Sequence, residues 1–184
     1  FVILVLVLIG WSTAYWINGT VGNSDILFWV ISQRILPPVV VVLPVYIMFQ
    51  RIGLLDTHIA LIIAYAVVNL PIVVWLMHDF IATIPIDLEE AAFCDGASRL
   101  QILRHIITPL STPGLVVVGI YAFIGAYAQQ FLYAISFNQK KEFMPLPAGL
   151  YEFIGYQTVK WNEMMAASLV GIAPVLIVFI FLQK

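Results

Sequence analysis

The chain is predicted to be an all-α polytopic membrane protein, a transmembrane helical bundle with five spans visible. Three observations predict it. Of the 184 residues, 62% are hydrophobic and only 10% are charged, against about 45–50% and roughly 25% in soluble domains, and the mean hydropathy is +1.03. The apolar residues gather into long continuous runs, whereas a membrane β-barrel would show alternation in runs of about ten. The charges fall mostly in the connections between the runs. Lipid offers no hydrogen bond to a bare backbone, so each run is expected to be helical. The net charge of −2 excludes nucleic acid as a partner, because phosphates need a basic face. A single cysteine, Cys94, excludes an internal disulfide and a four-cysteine metal site. It is expected to pack as a small apolar residue.

The first run, 1–17, opens on Phe1 with no Met or basic stretch before it, so it does not read as a signal peptide. It makes roughly 25 Å of helix, short of the about 20 residues a span needs. It is read as a span cut into, and the chain as an N-terminally truncated part of a longer protein. A polar loop follows at 18–25, where Asn18-Gly19-Thr20 fits the glycosylation pattern, a match too short to carry weight. The second run, 26–50, holds Arg34, Pro37, Pro38 and Pro44. Proline removes a donor and crowds the preceding turn, so this run is expected to be a kinked helix inside a bundle. The third, 59–77, carries Asn69-Leu70-Pro71, a second expected kink. The fourth and fifth runs are 114–135 and 166–181. Trp11, Trp16 and Trp161 are expected as interface anchors.

Two connections are long. The one at 138–163 holds Lys140, Lys141 and Lys160 with Glu142, Glu152 and Glu163, plus Pro145 and Pro147. Charge does not orient the chain. With 78–113 in the cytoplasm, Arg34, Arg99, Arg104 and Lys184 on that side balance Arg51, Lys140, Lys141 and Lys160 on the other.

The stretch 85–109, PIDLEEAAFCDGASRLQILRHIITP, is the informative one. Pro85 and Asp87 make a helix start, with Glu90 three residues on as in a capping box. Leu88, Ala91 and Ala92 give this helix an apolar face. Gly96 supplies the left-handed residue that ends a helix. Ser98 and Gln101 form a second capping box. Leu100, Leu103, Ile106 and Ile107 are expected on one face of the second helix, and Pro109 and Pro113 close it. Periodicity leaves two readings open: an interfacial helix pair resting on headgroups, or a docking element for a soluble partner.

This segment resembles the EAA loop of the membrane subunits of bacterial binding-protein-dependent ABC importers. The family pattern is E-A-A, three residues, G, nine residues, then I-x-L-P. Here Glu90, Ala91, Ala92, Gly96, Ile106 and Pro109 hold those places, with Asp87-Leu88-Glu89 before and Asp95-Gly96-Ala97 within. Thr108 departs from the family's Leu. Outside the loop, Pro37-Pro38 with Leu43-Pro44, Gly53-Leu54-Leu55-Asp56-Thr57, Asn69-Leu70-Pro71, Pro113-Gly114-Leu115, and Leu146-Pro147 with Gly149-Leu150 resemble the carbohydrate, maltose-type branch. The loop at 18–25 lacks that branch's basic residues. Tyr127-Ala128-Gln129-Gln130-Phe131 replaces its usual Trp-Asn-Glu-Phe.

The resemblance implies the fold of type I ABC importer permeases, the five spans being the second to sixth of six. Residues 1–184 would form one permease domain, with a cytoplasmic EAA coupling loop at 85–109. It implies a multi-pass subunit of a bacterial or archaeal cytoplasmic (inner) membrane. It implies a cytoplasmic ABC ATPase dimer, a second permease subunit of different sequence and an extracytoplasmic solute-binding protein. The transported solute would be a sugar or related carbohydrate. The coupling residues would be Glu90, Ala91, Ala92, Asp95, Gly96, Leu100, Leu103, Ile106 and Pro109. There is no G-x-x-x-x-G-K-[ST] loop, so no cofactor is expected in this chain; ATP and Mg belong to the ATPase, and the chain is not expected to be an enzyme. Importers for amino acids, peptides or polyamines share the EAA loop and form the alternative.

Polar residues at membrane depth face a cavity or another helix. Asn69, Tyr121, Tyr127, Gln129 and Gln130 are the candidates for a solute pathway, with interhelical hydrogen bonding as the alternative role. Tyr121, Gly125 and Gln129 share a face at i, i+4 spacing. A secondary transporter would show intramembrane acids for ion coupling, and runs one, three, four and five contain no Asp or Glu. A membrane enzyme would need paired catalytic groups at one depth, and no nucleophile–His pair lies in the runs. His58, His78 and His105 show no metal-ligand spacing.

Overall fold

The computed structural model describes residues 2–18, 23–129, 131–138, 140, 142, 144–154 and 159–182. Every regular element among them is a helix. In chain order these are α1 (Val2–Asn18), α2 (Asn23–Ser32), α3 (Pro38–Arg51), α4 (His58–Ala82), α5 (Ile86–Cys94), α6 (Arg99–Ile102), α7 (Thr108–Leu110), α8 (Thr112–Ile124), α9 (Phe131–Phe137), α10 (Leu146–Gly149) and α11 (Trp161–Leu182). Two helices, α4 and α11, are long and apolar enough to cross a membrane unbroken.

The 26–50 run is broken rather than kinked. α2 tightens into a 3-10 turn at Gln33–Ile35, and α3 restarts at Pro38 with Pro37 as its N-cap. The two adjacent prolines carry no N–H, so the carbonyls of Gln33 and Arg34 cannot receive helical hydrogen bonds. Pro44, alone, stays inside α3. Residues 33–40 at the break are all exposed, whereas Phe49 near the end of the run is buried. α4 continues through Pro71 to Ala82, beyond the expected end at 77. α11 begins at Trp161, five residues before the expected start.

The chain divides into two compact units. The first contains 3–35 and 68–122. Its interior is built on close helix approach: a Cβ on Gly10 would collide with the Val73 side chain, and one on Gly114 would lie 2.5 Å from Phe80 Cγ. Small residues at such crossings let backbones approach in lipid, where packing replaces the hydrophobic effect. Leu6, Ala14, Val73, Met77, Ile102, Ile107 and Val118 fill the space between.

The second unit contains 36–67 and 123–184. Phe137 is its centre, edge-on to Phe49 at 5.2 Å and to Tyr133 at 5.7 Å. The Gly53-Leu54-Leu55-Asp56-Thr57 segment has a structural reason. Gly53 (φ 69°) and Asp56 (φ 57°) are both left-handed, a conformation Gly and Asp tolerate best. The Asp56 N–H donates to the Phe137 carbonyl at 3.0 Å, and its carboxylate accepts the Lys140 N–H at 3.1 Å. Thr57 Oγ1 then accepts the Ala60 N–H, starting α4.

Candidate functional site

The stretch 85–109 folds as two short helices joined at a glycine. α5 starts on Pro85, not on an Asp87 capping box: Pro85 is the N-cap, and Asp87 already lies in the first turn with Glu89. Their charges complement the helix dipole there. α5 ends in a Schellman turn. The Ala97 N–H reaches the Ala92 carbonyl at 2.9 Å and the Gly96 N–H reaches Phe93 at 3.0 Å. Gly96 sits at φ 82°, where a side chain is strained. The second capping box is present, the Ser98 N–H donating to Gln101 Oε1 at 2.8 Å.

After Ile102 the helix widens into a π turn over Leu103–Ile107. The cause is Pro109, which has no N–H and would crowd the carbonyl of His105 in a regular α-helix. Thr108, the departure from the family's Leu, serves this turn. Its Oγ1 donates to the Leu103 carbonyl at 2.5 Å. At Ser111 the chain turns, and the helical stretch 99–110 makes an angle of 75° with the one that follows.

The apolar residues do not all share one face. Ile102, Leu103 and Ile107 are buried and Ile106 is half-buried, whereas Leu100, expected on the same face, is 73% exposed. Leu100 lies at the start of α6, before the π turn, on the face opposite Ile102 in a regular helix. Ile102, buried, was not singled out by the pattern. On α5, Ala92 is buried, while Ile86, Leu88, Glu90, Ala91 and Phe93 are exposed. Cys94, expected to be packed, is exposed at the helix end. The two helices therefore carry an apolar surface of Ile86, Ala91, Phe93 and Leu100. A hollow of about 300 Å³ beside the glycine joint and the second helix is lined by Asp95, Gly96, Gln101, His105 and Ile106. Pro109 is exposed at the far end.

This element is joined to the helices behind it. Tyr15 of α1, Ile81 and Ala82 of α4, and Ile86, Glu89 and Arg99 of the loop line a cavity of about 230 Å³. The Tyr15 hydroxyl hydrogen-bonds to Glu89.

The pathway candidates have different surroundings. Asn69 is fully buried. Tyr127 donates to the Gly171 carbonyl at 2.9 Å and stacks on Phe123 at 5.6 Å, an interhelical role near Pro174. Tyr121 accepts a hydrogen bond from Arg34 Nη2 at 2.7 Å. The side chain of Gln129 and all of Gln130 lie outside the described residues. A second π turn, Gly125–Gln129, also breaks the i, i+4 alignment of Tyr121, Gly125 and Gln129. In the sequence Arg34 counts only toward charge balance; the structure gives it a partner, Tyr121, 87 residues away.

A family model described as binding-protein-dependent transport system inner membrane component matches residues 6–184. The chain is 35% identical over 159 residues to the sulfoquinovosyl glycerol transport system permease protein of Agrobacterium fabrum, covering 86% of this chain and 55% of that one. It is 31% identical over 164 residues to the trehalose/maltose transport system permease protein of Thermococcus litoralis, covering 89% and 59%. It thus spans between half and three-fifths of the length of these curated relatives. Among solved structures, a bacterial ABC transporter involved in alginate import matches at a TM-score of 0.78 with 23% identity, covering 98% of this chain and 69% of that one. An inward-facing methionine ABC transporter matches at 0.79 with 17% identity, covering 99% and 86%. At these identities the two structures establish the fold.

Proposed function

The chain belongs to the family of binding-protein-dependent transport system inner membrane components, and from that premise we propose that it is the transmembrane permease subunit of an ATP-driven importer for a sugar or related carbohydrate. It would act in a bacterial or archaeal cytoplasmic membrane. Its partners would be a cytoplasmic ATPase dimer, a second permease subunit and an extracytoplasmic solute-binding protein. ATP and Mg would be held by the ATPase, and this chain would turn ATPase closure into helix movement.

The coupling loop is the observation that carries this reading. The exposure of Ile86, Ala91, Phe93 and Leu100 on two short helices, the second set at 75° to the helix that follows, supports docking of a soluble partner. Burying one medium apolar side chain contributes about 1.5–3 kcal/mol, enough across such a surface to hold the partner through a catalytic cycle. Ala92, Leu103 and Ile106 would shape the element from within, Gly96 would set its bend, and Glu90 and Asp95 would meet cations at the rim. The Tyr15–Glu89 hydrogen bond and the Gly114–Phe80 approach are the routes by which loop movement would reach α1 and α4. The carbohydrate assignment rests on the relatives, whose names specify sulfoquinovosyl glycerol and trehalose/maltose.

The test is reconstitution of the full-length protein with its ATPase, second permease and binding protein in proteoliposomes. A panel of sugars, amino acids and polyamines is then screened for solute-stimulated ATP hydrolysis and uptake. Stimulation by a carbohydrate alone is expected. Stimulation by an amino acid, peptide or polyamine would replace the carbohydrate reading, and ATP-independent uptake would overturn the importer reading itself.

A further inference from the structure

We propose that Asp56 is a positioning residue for the extracytoplasmic face: its carboxylate holds the start of the 138–163 connection on the turn between α3 and α4, in the place that receives the solute-binding protein. This role rests on the importer reading above and names the residue that sets its outer docking surface.

Topology is the first argument. α4 is a single helix long enough to cross a membrane, running from His58 to Ala82. With 85–109 in the cytoplasm, the end of α4 that follows Asp56 and Thr57 is the outer one. The Lys140 N–H is hydrogen-bonded to Asp56 across 84 residues, so the 138–163 connection starts on that same side. A binding protein arriving from outside meets both segments.

The backbone is the second argument. Among the described residues Asp56 is the one non-glycine residue at positive φ, at 57°. A side chain adopts that conformation at a cost that glycine avoids. Gly53, three residues earlier, answers the same backbone demand with a φ of 69° and no side chain. The side chain at 56 therefore serves something beyond the turn.

Its contacts show what that is. The Asp56 N–H donates to the Phe137 carbonyl at 3.0 Å, and its carboxylate accepts the Lys140 N–H at 3.1 Å. Two bonds at one residue fix direction as well as distance. The Phe137 end is firm, since that side chain is buried and packs edge-on to Phe49 and Tyr133. The Asp56 end is firm too, since Thr57 Oγ1 donates to the Leu54 carbonyl at 2.6 Å and accepts the Ala60 N–H at 3.3 Å. The Lys140 bond lies at the surface, where water competes for both groups, so it contributes to placement more than to stability. Placement matters because the described part of the connection has a structure of its own. α10 starts after Pro145, Ala148 is buried, and the Lys160 N–H returns to the Phe153 carbonyl at 3.0 Å just before α11. α11 fixes one end of this segment and Asp56 the other.

The test uses the full-length importer in nanodiscs with its ATPase and second permease. ATP hydrolysis is measured against the concentration of the importer's own purified solute-binding protein, loaded with the sugar that the uptake screen returns. Asp56→Gly keeps the left-handed backbone and removes the acceptor, whereas Asp56→Asn keeps both. Asp56→Gly is expected to raise the half-saturating concentration about fivefold, the factor an ordinary hydrogen bond is worth. Its maximal rate, its rate without binding protein and its melting temperature should stay at wild-type values, and Asp56→Asn should match wild type throughout. Wild-type half-saturation in Asp56→Gly would overturn the proposal. So would rates and melting temperature that fall together at unchanged half-saturation, the mark of a role in folding alone. An equal shift in Asp56→Asn would overturn it in favour of the carboxylate's charge. A wild-type importer that ignores its binding protein would overturn the importer reading, and this role of Asp56 with it; a responsive wild type leaves any failure to Asp56 alone.

Discussion

Gly96 holds a φ of 82° at the joint of α5 and α6, a conformation that costs other residues roughly 1–2 kcal/mol. Gly96→Pro is impossible there, because proline fixes φ near −65°. The variant is expected to reach the membrane at normal levels and to lose solute uptake; uptake at the wild-type rate would remove Gly96 from the coupling mechanism. Neighbouring apolar residues separate into two kinds. Ile102 is fully buried, so Ile102→Ala is expected to cost about 2–5 kcal/mol of stability, seen as a lower melting temperature in detergent. Leu100 is exposed, and Leu100→Ala should leave that temperature unchanged while weakening ATPase retention. The bend at Gly96 was legible in the sequence because one residue type answers one backbone demand. The division between Ile102 and Leu100 follows from helix geometry, since residues i and i+2 sit about 200° apart, but which of the two faces turns inward depends on packing against distant helices, which leaves no local signal. Arg34 was legible only as a charge, since its partner Tyr121 is distant in the chain.

At the scale of elements, helices were legible throughout and their interruptions were not. Continuous apolar runs announce helix in a membrane, but whether a proline kinks a helix or stops it depends on its neighbours. Pro44 and Pro71 remain inside helices, whereas the Pro37-Pro38 pair ends one. The π turn before Pro109 is held by the Thr108 hydroxyl, and Thr108→Val keeps the shape without the hydrogen bond. The Leu103 carbonyl retains a backbone donor, so a loss of about 0.5–1 kcal/mol is expected; a loss several times larger, by chemical denaturation, would give the hydroxyl a role beyond the turn. Helix approach offers a sharper test. Gly114→Leu must displace Phe80, whereas a Cβ at Gly119 meets nothing within 4 Å. Gly114→Leu is therefore expected to lower thermal stability strongly and Gly119→Leu to do so weakly, and equal effects would contradict the packing described for the first unit.

For the whole molecule, the central claim is that a membrane-embedded chain without a nucleotide site is driven from outside the membrane through α5 and α6. The EAA spacing is what points to this in the sequence. The contacts that would carry movement inward, Tyr15 with Glu89 and Gly114 against Phe80, are tertiary and left no local signal. Polarity alone does not separate a pathway residue from one that bonds between helices, and Tyr127 takes the second role in the structure. The most direct measurement is purification of the full-length protein with its neighbours in mild detergent, comparing wild type, Leu100→Glu and Leu100→Met by quantitative mass spectrometry. The account predicts that wild type and Leu100→Met retain an ATPase bearing a nucleotide-binding loop, and that Leu100→Glu loses at least about nine-tenths of it while the permease level is unchanged. A wild-type chain that purifies without any ATPase, or a Leu100→Glu chain that keeps it in full, would contradict the account.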